Sequence, residues 1–139
     1  EEARWWEDGY RLFDVSCLAV SSAKGFSRLP SETNALFVSR SRWREVGGFD
    51  ERFRCPGGGL ANLDLWKRLC ESAAGPVIMI AGEGTFHQVH GGVATNSPKS
   101  KWDQFEREYR DIRGEAFRAP ASPYVLVGSP QSPRLANAV

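Results

Sequence analysis

Between Leu63 and Ala81 the hydrophobic period of this chain changes within two residues, and few architectures accept such a change. Leu65, Trp66, Leu69, Cys70 and Ala73 recur at helical spacing, so residues 63–74 read as a helix with one buried face. Asn62 stands where an N-cap belongs, Asp64 suits the positive end of the helix dipole, and Gly75-Pro76 stops the helix. Val77-Ile78-Met79-Ile80-Ala81 then follows as an unbroken apolar run of strand length. Such a strand has no polar side to turn toward water, so burial on both faces is expected. A helix running directly into a buried strand predicts an α/β layer.

The flanking segments fit around that unit. Phe13 to Val20 reads as a strand or strand-like edge, and Thr33 to Val38 as a second strand candidate beyond the turn residues Gly25, Ser27 and Pro30. Ser39 can cap a short helix running through Val46, with Gly47 ending it. The consecutive Gly57-Gly58-Gly59 cannot sit in regular structure without a large entropic cost, so residues 55–59 form a loop. A later helix from Lys101 to Arg113 carries Trp102, Phe105, Tyr109 and Ile112 on one core-facing stripe, with Ser100 as its cap. Residues 115–139 hold Pro120, Pro123, Pro130 and Pro133 among Ser and Ala and read as an extended or poorly ordered tail, apart from a short strand at Tyr124 to Val127.

With 139 residues, 41% hydrophobic and 25% charged, the chain supports one core and is neither disordered throughout nor a coiled coil. Its 18 Lys and Arg against 17 Asp and Glu leave a net charge of +1. No global basic field exists to recruit nucleic acid. The longest apolar run is far short of the ~20 residues that span a bilayer. Glu1, Glu2, Ala3 and Arg4 leading into Trp5 and Trp6 are the opposite of a secretory signal peptide, and the missing initiator Met suggests a chain that begins partway through a longer protein. Cys17, Cys55 and Cys70 are odd in number and form no CxxC pair, which favours reduced thiols and a cytoplasmic setting, although one disulfide plus one free thiol gives the same count.

Polar residues and glycine concentrate at Glu32-Thr33-Asn34, at Gly47 to Asp64 and at Gly82 to Asn96. The ordered set runs Glu32 to Arg40, Trp43 to Phe53 with its Gly47-Gly48-Phe49-Asp50-Glu51 block, Asn62 to Arg68, and His87-Gln88-Val89-His90-Gly91-Gly92. It resembles the acceptor-side, C-terminal half of a family 2 glycosyltransferase of GT-A fold, over roughly residues 31–96. The resemblance implies a partial, Rossmann-like α/β domain over residues 1–114, with a short mixed sheet flanked by helices. It also implies transfer of a sugar from a nucleotide-sugar donor to a hydroxyl acceptor, a sugar or polysaccharide, assisted by a divalent cation (Mn or Mg) in the full-length protein. The family's DxD motif is missing, which fits a chain lacking the donor-binding half and inactive by itself.

Carried over residue by residue, the family's general base falls on Asn62, preceded by Ala61. An amide cannot accept a proton in that role. Either Asp64 takes it, or the subgroup works without that base, or the protein is a non-catalytic carbohydrate-binding or interaction module. Asn34 and the loop Gly57, Gly58 and Gly59 are the implied substrate contacts, the glycines because bare backbone amides can approach a sugar or phosphate. His90 and His87 are the implied metal or diphosphate ligands, with His90 favoured because Gly91-Gly92 lets backbone come close. In the family pattern Asp50 and Glu51 are mainly architectural, with Phe49 and Phe53 anchoring the block to the core. A sheet cut from its other half would leave an edge strand open, so self-association through that edge is expected.

Overall fold

The computed structural model describes residues 35–72, 75–81 and 100–128. They fall into a helical unit within residues 35–72 and 100–120 and a strand unit within residues 75–81 and 121–128.

The helical unit opens with α1 (Arg40–Glu45), capped by the Ser39 hydroxyl, which accepts from the Arg42 amide at 3.2 Å. Its end is a Schellman turn: the Gly47 amide donates to the Arg44 carbonyl at 3.1 Å and the Gly48 amide to the Trp43 carbonyl at 3.0 Å. Both glycines take positive φ, +79° and +62°. At Gly48 a side chain is doubly excluded, because a Cβ there would lie 2.8 Å from Trp43 Nε1. The turn delivers Phe49 edge-on against Trp43, with ring centroids 5.3 Å apart. A 3-10 turn at Pro56–Gly58 follows, closed by the Gly58 amide donating to the Cys55 carbonyl at 2.9 Å.

Helix α2 spans Ala61–Glu71 and α3 spans Trp102–Arg113. Phe53, Leu60, Phe105 and Tyr109 form the buried centre, with Cys55, Ala61, Leu63, Ile112 and Phe117 packed around it. Tyr109 takes Phe117 edge-on at 5.3 Å. The start of α2 lies two residues ahead of the sequence expectation, and Asn62 is inside its first turn, exposed, rather than capping it. Leu60, almost wholly buried, occupies the cap position without any side-chain cap hydrogen bond. Burying a leucine stabilises by roughly 1.5–3 kcal/mol, more than the ~1 kcal/mol a side-chain cap supplies. On α3 the buried stripe runs from Phe105 to Ile112 only; Trp102, expected in the core, lies one turn beyond the cluster and is 47% exposed. Ser100 does accept from the Trp102 amide, at 3.3 Å, while Lys101 is the formal cap residue.

In the strand unit β1 (Val77–Ala81) pairs in parallel with β2 (Tyr124–Gly128), Val77 opposite Tyr124 and Ala81 opposite Gly128. Parallel pairing needs a long return path, and residues 82–123, which include α3, provide it. The strand expected within the proline-rich tail is therefore real and is the partner of the apolar run. Burial of β1 is one-sided: Met79 is buried, whereas Ile78 and Ile80 lie on an exposed face beside Val125 and Val127. A continuous apolar run reports length and composition, not which faces are covered.

The described residues thus contain both α-helices and a small sheet, a parallel pair. Residues 35–38 of the expected strand at Thr33 to Val38 are in no strand, and Phe37 is largely exposed; β propensity without a partner ladder does not make a strand. The strand proposed at Phe13 to Val20 lies outside the described residues. No helix among the described residues is long and apolar enough to cross a membrane.

Candidate functional site

The helical unit has one buried acid, Asp64, 1% exposed in the first turn of α2. Asp64 Oδ1 accepts from Arg113 Nε at 2.7 Å. Its Oδ2 accepts from Arg68 Nε, one helical turn on, and from the Arg113 terminal nitrogen, both at 2.8 Å. Arg113, at the end of α3, thus grips the carboxylate with two parallel bonds, the strongest geometry available to an arginine. Arg68 reaches in the other direction as well: its remaining nitrogens donate to the Val46 carbonyl and, at 2.7 Å, to the Gly48 carbonyl. One buried carboxylate therefore ties together α2, α3 and the Gly47-Gly48 turn.

Asp50 extends the cluster. Its Oδ2 lies 2.9 Å from Arg113, and both oxygens are held by Arg52 at 2.7–3.2 Å, with the Arg52 amide also donating to Oδ1. Hydrogen bonding from Arg52, aided by the Arg113 charge, holds this carboxyl well below the usual carboxylate range. In turn Asp64, hydrogen-bonded to Arg113, raises that guanidinium further above its ordinary value. Arg113 also lies 5.8 Å over the Phe53 ring, so the cluster joins the aromatic core.

In front of these charges is a recess of about 360 Å³, lined by Val46, Gly47, Gly48, Phe49, Asp50, Glu51, Arg68 and Arg113. The Phe49–Glu51 block does not act as one unit. Asp50 is consumed by its arginines and Phe53 is in the core, as the architectural expectation has it. Phe49 is 50% exposed and packs on Trp43 rather than anchoring the block to the core, and Glu51 is exposed at the recess.

The glycine loop is fixed from a different side. Glu108 Oε1 on α3 accepts from the amides of Arg54 and Cys55 at 2.7 and 2.8 Å. Glu108 Oε2 lies 3.0 Å from where a Cβ of Gly59 would sit, so a side chain there would crowd the carboxylate as well as strain a backbone at φ +52°. Burial, with Glu108 beside it, pushes the Cys55 thiol up. Gly57 and Gly58 are exposed at the crest of the loop.

The candidates named from sequence differ in what surrounds them. Asp64 is sealed among arginines with both oxygens engaged, Asn62 is exposed near the start of α2, and Gly57, Gly58 and Gly59 belong to the loop held by Glu108. Asn34, His87 and His90 lie outside the described residues. Among the described residues no group of three or more His, Cys, Asp and Glu is placed to hold a metal ion. Arg113, Glu108 and Arg52 were missed in the sequence. For Glu108 the signal was present: with Phe105, Tyr109 and Ile112 it occupies spacing i, i+3, i+4, i+7, and an acid on an inward stripe demands buried donors. Asp64 and Arg68 were likewise readable as an i, i+4 pair. Arg113, 49 residues from Asp64, was not. No family model, no curated protein and no solved structure matches this chain.

Proposed function

We propose that this chain is the acceptor-side part of a nucleotide-sugar-dependent glycosyltransferase of GT-A type, moving a sugar onto a hydroxyl acceptor. The supporting observation is that two separate blocks of the resemblance meet in one ionic cluster. The Gly47-Gly48 turn of the first block is held by Arg68 of the second, and Asp64 orients that arginine. Motifs that recur in order for a common reason should converge in space, and these do. The recess beside them is polar, carries an exposed aromatic ring and balances its charges, as suits a sugar. The donor nucleotide and its divalent cation belong to the full-length protein. Titrating that protein with UDP or GDP in the presence of Mn²⁺ tests the reading. Saturable binding is expected, and no binding to any nucleoside diphosphate overturns it.

A second reading has its own observation. Asn62 is an amide, and Asp64, the other candidate base, has no free oxygen. A protein lacking the base would keep the sugar-binding shape and lose the transfer, making it a carbohydrate-binding module. Sugar binding without nucleotide binding by the full-length protein selects this reading over the first.

A further inference from the structure

The recess beside the arginine cluster is walled by the Gly47-Gly48 turn and the Phe49-Asp50-Glu51 segment that follows it. We propose that it is a binding subsite for one neutral sugar ring, with Phe49 as the stacking platform and Glu51 as the acceptor of sugar hydroxyls. The inference deepens the transferase reading by assigning the acceptor a place and a charge class, and it rests on that reading for the word acceptor.

Size comes first. A volume of about 360 Å³ lies at the small end of the ~300–1,000 Å³ typical of small-molecule sites, enough for a single ring rather than an extended chain. Charge narrows the ligand. The lining contains two carboxylates, Asp50 and Glu51, and two guanidiniums, Arg68 and Arg113, which cancel. The guanidiniums are directed at Asp64, Asp50 and the Val46 and Gly48 carbonyls, so they are not available as an anion clamp. Phosphates and uronic acids therefore find no uncommitted cation here, and a neutral polyol is favoured.

Among the lining side chains, two remain uncommitted. Asp50 is bound on both oxygens, whereas Glu51 is exposed and has no ion pair among the described residues. Phe49 is half exposed, and its edge-on packing against Trp43 fixes the ring at the recess. An aromatic face beside a free hydrogen-bond acceptor matches the C–H face and hydroxyl rim of a pyranose. At Gly47 a Cβ would meet nothing within 4 Å, so the floor there is bare backbone and leaves room for the ring.

The test follows the backbone amide signals of residues 47–51 by NMR while the chain is titrated with methyl glycosides of glucose, galactose and N-acetylglucosamine. Saturable shifts confined to these amides are expected with at least one of them. Phe49→Leu and Glu51→Gln should each weaken binding roughly tenfold, a factor that corresponds to about 1.4 kcal/mol. Trp102→Ala, which removes an equally exposed aromatic outside the recess, should leave it unchanged. Glu51→Gln alters only an exposed group, so its effect stands even if Phe49→Leu disturbs the turn. The proposal is overturned if no glycoside shifts these amides, if shifts survive both substitutions, or if inorganic phosphate shifts them more strongly than any glycoside. Nucleotide binding without glycoside shifts defeats this inference alone. Glycoside shifts without nucleotide binding keep it and defeat the transferase.

Discussion

Replacing Asp64 by asparagine separates a catalytic base from a structural keystone. The substitution keeps shape and volume, so no cavity is created, and it removes one negative charge from between two guanidiniums that are themselves about three-quarters buried. Taking one partner from a buried ion pair costs about 3–5 kcal/mol, because the other charge is left without compensation. The amide also turns a donor toward an arginine that can only donate. Against a typical total stability of ~5–15 kcal/mol this is a large share. With a urea slope of ~1–3 kcal/mol/M for a chain of this size, the unfolding midpoint should fall by about 2 M. Asp50→Asn is the internal comparison: its partner Arg52 is 61% exposed and screened by water, and its other partner Arg113 keeps both bonds to Asp64, so the loss should be clearly smaller than at Asp64. Urea denaturation followed by far-ultraviolet circular dichroism measures both. In a double-mutant cycle with Arg113→Gln the Asp64 and Arg113 effects should be coupled by roughly 0.5–3 kcal/mol. A reactive base would give the opposite pattern, an unchanged midpoint and lost turnover in the folded protein. A shift below about 1 kcal/mol for Asp64→Asn refutes the keystone argument.

Gly48→Ala must combine a positive φ with a clash at 2.8 Å on Trp43, whereas Gly47→Ala meets open space, so thermal unfolding should rank the first well below the second. The left-handed backbone alone costs ~1–2 kcal/mol at either site, and equal losses would show that the Trp43 contact has no weight. Glu108→Ala strips two amides of their acceptor and should destabilise by about 1–3 kcal/mol, with faster hydrogen exchange at Arg54 and Cys55; unchanged exchange there refutes the loop anchor. Asp50 has a lowered folded pKa, chiefly through its hydrogen bonds with Arg52. Its contribution is thus complete above the unfolded carboxylate value of about 4 and is lost as pH falls through the folded value. Asp50→Asn should flatten the acid limb of the stability curve, and an acid limb identical to that of the unsubstituted protein counts against the pairing.

How far the fold was legible depends on whether its causes were local. The Ser39 cap, the glycine terminator at 47 and the apolar run at Val77 each act within a few residues, and all three are in the structure. The expected start of α2 erred for a nonlocal reason. Asn62 has the better capping chemistry, but Leu60 is drawn into the cluster of Phe53, Phe105 and Tyr109, and the helix begins where that burial places it. Trp102 failed in the same way: helical spacing identifies a stripe, while the length of the surface that meets it sets how much of the stripe is covered. The exposed side of β1 repeats the lesson in a sheet, since Ile78 and Met79 are equally apolar and only the pleat assigns them to opposite faces.

The candidate site was legible in residue type and not in connectivity. Asp64 stood out because an acid at a helix start within a conspicuous block suggests chemistry. An acid in that place can serve catalysis only if it keeps a free oxygen and access to solvent, and two arginines from different parts of the chain remove both. One of them, Arg68, was visible at helical spacing, and it is the one that carries the effect outward to the Val46 and Gly48 carbonyls. The block bounded by Asn62 and Arg68 therefore acts on the recess through the backbone of the Gly47-Gly48 turn. The groups left to meet a ligand there are Phe49 and Glu51, which sequence reasoning had assigned to architecture. What distinguishes them from Asp50 and Phe53 in the same block is what each one touches. Asp50 has two arginines and Phe53 has the core, and the residues without such partners are the ones available for binding.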